Sequence, residues 1–130
     1  MVSAACEGVV GLEASRLEID RPGPTYTIDT LEALAGPDRD LFLVLGADAA
    51  AGLDAWHRPD AVRAAATLAV IARTGGPVTP SGAVTLTMPR IDVSSTDLRR
   101  RAASGEPLDF LVPAPALAVL RSRGLYTRPR

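Results

Sequence analysis

Hydrophobic positions along the chain change their spacing several times, and each change marks an element. Residues 1–11 are rich in small side chains and fit the tail of a helix. In ASRLEID, residues 14–20, apolar and polar positions alternate through Leu17 and Ile19, the period of a strand. RPGP then forces a turn. In TYTIDTLEALAG, Ile28, Leu31 and Leu34 recur at helical spacing and Gly36 supplies a stop. LFLVLG, residues 41–46, is an unbroken apolar run closed by glycine, which is how a strand buried in a parallel sheet reads. The following ADAAAGLDAWHRPDAVRAAA predicts two short helices divided between Trp56 and Pro59. TLAVIAR, residues 67–73, predicts a second buried strand; VTLTMP, beyond the loop TGGPVTPSGA, predicts a shorter third. Ser94 or Ser95 caps a helix that runs to about Ser104, with Gly105 and Pro107 ending it. PAPALAVLRSRG makes a last helix stopped by Gly124, and no segment repeats another.

Strands alternating with helices predict an α/β protein with a mainly parallel sheet. At 130 residues it is expected to be one domain, with residues 94–130 as a helical C-terminal part. Ligands of such sheets sit outside the carboxyl ends of the strands. Here those ends lead to Gly46-Ala47-Asp48, to Arg73, and to Ser94-Ser95-Thr96. A carboxylate, a guanidinium and a hydroxyl-rich helix start are thus expected along one rim, which suits a nucleotide better than an apolar ligand.

Composition narrows this further. The chain is 47% hydrophobic and 22% charged with a formal net charge of -1, a globular balance that disfavours a nucleic-acid or membrane-surface partner. Every basic residue is arginine, so arginine alone can supply cationic anion recognition. Cys6 is the only cysteine, which removes an intrachain disulfide and a cysteine-based zinc site. No apolar run approaches the ~20 residues of a membrane span. The first residues lack the basic start and apolar core of a signal peptide, so a cytoplasmic location is expected.

The residues able to carry chemistry each have a plain alternative. Backbone N–H groups at a helix start attract phosphate, Ser95 and Thr96 add hydroxyls, and Arg99 can reach back from one turn on. The same residues also suit a capped helix with a solvated basic face. Asp48, after a glycine at a strand end, can accept from ribose hydroxyls or cap the next helix. Trp56 can stack on a planar ligand or anchor the core. Tyr26 and Thr27 stand at a junction suited to substrate contact or to capping. His57 is the only histidine, and its surroundings give no metal-ligand spacing, so a surface or capping role is expected.

Six segments in order, RPGPTYTIDTLEAL, LFLVLGADA, WHR, VIAR, IDVSSTDLRRR and the final LVP with GLY, resemble the bacterial nicotinate mononucleotide adenylyltransferases. These belong to the nucleotidyltransferase superfamily with the His-x-Gly-His signature. The resemblance runs from about Leu12 to Tyr126. Pantetheine-phosphate adenylyltransferases share the fold and a serine-rich late motif, but GPTYTIDTL and GAD…WHR favour the nicotinate enzymes. The resemblance implies a Rossmann-like fold and transfer of AMP from ATP, accompanied by Mg2+, to nicotinate mononucleotide with release of pyrophosphate. It places Ser95, Thr96 and Arg99 on the ATP phosphates with Ser94 assisting. Gly46 and Asp48 fall on adenosine. Trp56 falls on the nicotinate ring, with Tyr26, Thr27 and Arg73 nearby.

One part of the pattern is missing. The family opens with a strand and a turn, G-G-T-F-D-P-x-H-x-G-H, whose histidines bind the ATP phosphates, and this chain has no such segment. It looks like the C-terminal two-thirds of the domain, without a first strand that is central in the family's sheet. Without that strand, the edge of the 41–45 strand is expected to be exposed. Three readings follow: an upstream start to a longer enzyme, a non-catalytic nucleotide-binding remnant, or complementation by a separate chain. Alone, the chain is expected to be inactive. An oligomer is compatible with all three.

Overall fold

The computed structural model describes residues 1–71, 80–89 and 91–127. Arg73 and most of the Gly/Pro-rich loop lie outside the described residues. Two compact units emerge, one of residues Arg16–Arg90 and one of Met1–Ser15 with Ile91–Arg130.

The first unit is built on a three-stranded parallel sheet in the order β1 (Phe42–Gly46), β2 (Thr67–Ile71), β3 (Val84–Leu86). The expected α/β class and parallel pairing are therefore present. The crossover from β1 to β2 runs through α4 (Ala47–Ala51), a 3-10 turn (Leu53–Ala55) and α5 (Pro59–Ala65), which share one core with α3 (Thr27–Leu34) and one face of the sheet. Ile28 and Leu31 from α3, Leu53 from the turn and Val62 from α5 pack with Leu45, Leu68 and Val70. The buried pair Leu45 and Val70 stand opposite each other in the register, as do Leu43 and Leu68 one pleat repeat earlier.

The other face carries Phe42, Val44, Ala69, Ile71, Val84 and Leu86, as the two-residue pleat requires. Ala69 is shielded between Val44 and Val84, yet Phe42 is 62% and Val44 56% exposed. Among the described residues, β1 is also an edge, bonded only to β2. The strand that reads in sequence as doubly buried is thus buried on one side.

One element differs from its pattern. Residues 14–20, expected as a strand, contain the single helical turn α2 (Leu17–Asp20). Alternation over so few positions is weak, and Ile19 is exposed, so no apolar face demands a sheet. Local bonds decide instead. Arg16 Nη2 donates to Asp20 Oδ1 at 2.6 Å across one turn, Thr25 donates to the Glu18 carbonyl, and the Thr30 hydroxyl donates to Glu18 Oε1 at 2.8 Å.

The second unit is helical where described: α1 (Val2–Cys6), α6 (Ser95–Ser104) and α7 (Ala114–Ser122), with α1 packed on α7. Leu108, Leu117 and Leu120 form its core with Leu98, Ala102, Val112 and Leu125 around them.

The two faces of the sheet predict opposite mutational costs. Leu53→Ala, at a site 1% exposed, should lose about 2–5 kcal/mol in denaturant unfolding. Phe42→Ala should change stability by no more than about 0.5 kcal/mol. Equal losses would mean that both faces are packed.

Candidate functional site

The serine-rich segment folds as a helix start because Ser94 is its N-cap. Its extended backbone precedes α6, and its Oγ accepts from the Asp97 N–H at 3.1 Å, while its carbonyl accepts from Leu98. That leaves the N–H groups of Ser95 and Thr96 pointing out of the first turn, and both side chains are exposed. Ser94 therefore spends one lone pair on the cap and keeps its hydroxyl proton to donate.

At the other end Gly105, at φ +75°, turns the chain back. The Glu106 N–H reaches the Arg101 carbonyl at 3.0 Å, and the Gly105 N–H reaches that of Ala102. This return brings the Glu106 carboxylate over the last turn of α6. Arg100 Nη1 donates to Glu106 Oε1 at 2.7 Å and its Nη2 to Asp97 Oδ1 at 2.6 Å. Arg101 Nε donates to Asp97 Oδ2 at 2.7 Å. Two of the three consecutive arginines are thereby neutralised within the helix. Arg99 takes no part in this network, and among the described residues no carboxylate pairs with it. It shares a helix face with Ser95, four residues back, and both line a cavity of about 130 Å³ walled by Leu98, Leu108, Val112 and Leu120.

The sheet unit holds a second group of candidates. Gly46 ends β1 and caps α4, and Asp48 lies exposed in the first turn of α4 beyond the carboxyl end of the strand. Asp48 is therefore not the cap; Gly46 fills that position through its backbone. Trp56 is half-buried against the core, and its neighbour His57 stacks on Tyr26 with ring centroids 4.1 Å apart and planes at 28°. Tyr26 is the N-cap residue of α3, and Thr27 begins that helix. Arg58, at φ +52°, caps α5 in a left-handed conformation, and Pro59 fixes the next position. Arg58 Nη2 donates to Glu32 Oε1 at 2.9 Å, tying this segment to α3.

No protein-family profile matches the chain. Among curated proteins, it is 37% identical over 138 residues to the probable nicotinate-nucleotide adenylyltransferase of Roseiflexus sp. (strain RS-1), a match covering 97% of this chain and 69% of that relative. The chain belongs to the nicotinate-nucleotide adenylyltransferase family. It is also 41% identical over 119 residues to the probable enzyme of Streptomyces coelicolor and 39% over 116 residues to that of Thermus thermophilus, each match covering 86% of this chain. It spans 63% and 62% of those two relatives.

As a member of this adenylyltransferase family, the chain distributes its candidate residues over both units. Ser94, Ser95, Thr96 and Arg99 stand in the helical one; Tyr26, Thr27, Gly46, Asp48 and Trp56 stand in the sheet one. Arg73 lies outside the described residues. His57 is the residue that its sequence context undersells. Its ring partner is 31 positions away, a separation that no local pattern reports.

The α6 network also sets an acid limit. Hydrogen bonds from Arg101 and then Arg100 hold Asp97 below its ordinary range. The Ser104 hydroxyl, followed by Arg100, does the same for Glu106. Asp97 and then Glu106 raise Arg100 in turn. Depressed carboxylates bind protons less readily folded than unfolded, so their stabilisation is complete above about pH 5 and is lost as pH falls through about 4 and below. The melting temperature should drop across that window. The drop should flatten in the Asp97→Asn, Glu106→Gln double variant; an unaltered slope would place the acid sensitivity elsewhere.

Proposed function

We infer that the chain supplies substrate-binding surface to a nicotinate-nucleotide adenylyltransferase. In the reaction, a 5′-phosphate oxygen of nicotinate mononucleotide bonds to the α-phosphorus of ATP. The bond from that phosphorus to the β-phosphate oxygen breaks, and pyrophosphate leaves with the electron pair. The product is the deamido dinucleotide precursor of NAD.

One observation carries this reading: among the described residues no carboxylate pairs with Arg99 and no acceptor takes the Ser95 and Thr96 N–H groups at the helix start beside it, while its two neighbours are neutralised. A solvated basic face would gain nothing from that selectivity. An anion seat needs it, because a guanidinium already paired to Asp97 or Glu106 has little left for phosphate. Ser95, Thr96 and Arg99 would hold ATP phosphates with Ser94 assisting. Gly46 and Asp48 would meet adenosine. Trp56, with Tyr26 and Thr27, would face the nicotinate ring, and Arg73 is assigned to the same side by resemblance. Catalysis of this kind rests on alignment and on stabilising charge at phosphorus rather than on a covalent intermediate.

Mg2+ would accompany ATP. Among the described residues no group of three or more His, Cys, Asp or Glu is placed to cage a metal. An ion bound with the triphosphate would neutralise phosphate charge.

A second reading, nucleotide binding without turnover, is favoured by one fact: with a single histidine the chain cannot contain His-x-Gly-His. The two readings share binding and part at chemistry. Calorimetric titration with Mg-ATP should show binding that weakens roughly tenfold to 150-fold in Arg99→Ala, about 1.5–3 kcal/mol for a lost charge-assisted contact. Arg100→Ala should leave ATP affinity unchanged. If the two variants behave alike, the assignment of Arg99 fails. Pyrophosphate release from ATP and nicotinate mononucleotide should stay at background for this chain alone, and release at the rate of longer relatives would remove the second reading.

A further inference from the structure

The turn between α6 and α7 holds an aromatic side chain where folding of the chain alone gains nothing from it. Phe110 stands at φ +65° with its ring fully exposed. It occupies the third place of a turn in which the Leu111 N–H donates to the Leu108 carbonyl at 3.1 Å, a place that suits glycine or asparagine. Both flanks are fixed. Leu108 is buried in the core of the helical unit, and Val112 packs against that core and donates to the same carbonyl. On the other side Arg121 Nη2 reaches both Asp109 oxygens at 3.4 Å. The ring is thus held out on a strained backbone without apolar cover. Strain enforced by its surroundings at an exposed position points to a contact made outside the fold.

Leu108 and Asp109, the two residues before Phe110, also line an open pocket of about 360 Å³. Leu117 and Leu120 share its apolar wall, and Glu106 and Arg121 stand among its polar groups. We propose that Phe110 is the knob of a two-fold interface between two copies of this chain, each ring entering the other copy's pocket while Asp109 and Arg121 pair across the axis. Two observations select a second copy as the occupant. A two-fold axis makes a patch face itself, so knob and pocket must lie side by side on one surface, as they do here. The patch also carries both signs of charge. Asp109 and Arg121 stay more than half exposed at 3.4 Å from each other, so each is open to its counterpart on the other copy. A partner of a single charge would meet repulsion from half of the patch. Arg121 further brings a guanidinium to the pocket wall, which an entering ring can face. The proposal uses the helical unit alone and is independent of the nucleotide assignments.

Sedimentation velocity over a dilution series of the chain, without nucleotide, should show a reversible monomer–dimer equilibrium. Phe110→Ala should weaken it by about tenfold or more, the loss of one central anchor. Phe110→Gly should weaken it as much, yet its melting temperature at dilute, monomeric concentration should not fall, because glycine relieves the backbone at this φ. Asp109→Arg and Arg121→Asp should each loosen the dimer, and the double exchange should recover it. Val44→Asp should leave the equilibrium unchanged. The proposal is overturned if the chain stays monomeric up to roughly 1 mM, or if the Phe110 variants pair as tightly as the unaltered chain. It is equally overturned if Phe110→Gly melts lower, which would mean that the ring packs within its own chain. A double exchange no tighter than either single, or a dimer abolished by Val44→Asp, places the interface elsewhere and overturns it too.

Discussion

The crossover from β1 to β2 is the constraint on which the sheet unit depends. Parallel pairing obliges the chain to travel back along the sheet before β2 can begin. In twenty residues it must form α4, a 3-10 turn and α5, and these must bury their apolar sides on one face. Leu53 and Val62 do so completely, and Trp56 is drawn half-way in with them. The segment Trp56-His57-Arg58 is therefore held over α3 as a by-product of closing the crossover. Asp48 stands where β1 ends for the same reason.

The helical unit solves a different problem, the handling of three adjacent positive charges on a short helix. Ser94 and Gly105 fix its two ends, and the turn at Gly105 returns Glu106 to the helix. Asp97 and Glu106 then divide Arg100 and Arg101 between them. These contacts are exposed, so they add little stability singly. Their effect is selective: they determine which guanidinium stays available. A helix with three equivalent arginines would offer a diffuse field; here, among the described residues, Arg99 is the one of the three left outside the carboxylate pairing.

Much of this is legible in the sequence. The apolar runs at residues 41–46 and 67–71 mark their strands because burial of at least one face imposes a continuous requirement, and the cap at Ser94 is written in local residue chemistry. The turn at residues 17–20 escapes its pattern because it obeys bonds from Arg16, Thr25 and Thr30 rather than a period. The open face of the sheet is foreshadowed only through the family resemblance, since Phe42 and Val44 look no different in a string from Leu43 and Leu45. The Tyr26–His57 stack and the pairing that spares Arg99 are invisible there, because each depends on which side chains meet after folding.

Arg58 carries one more consequence. A non-glycine residue at φ +52°, followed by a proline, restrains the backbone strongly. Around it, Trp56 is seated in the core, His57 lies on Tyr26, and Arg58 itself is tethered to Glu32. Each residue of this short loop is fixed by a separate contact, so its conformational entropy is surrendered during folding. A ring that stacks here meets a surface already in order, and its binding free energy is not spent on arranging the protein.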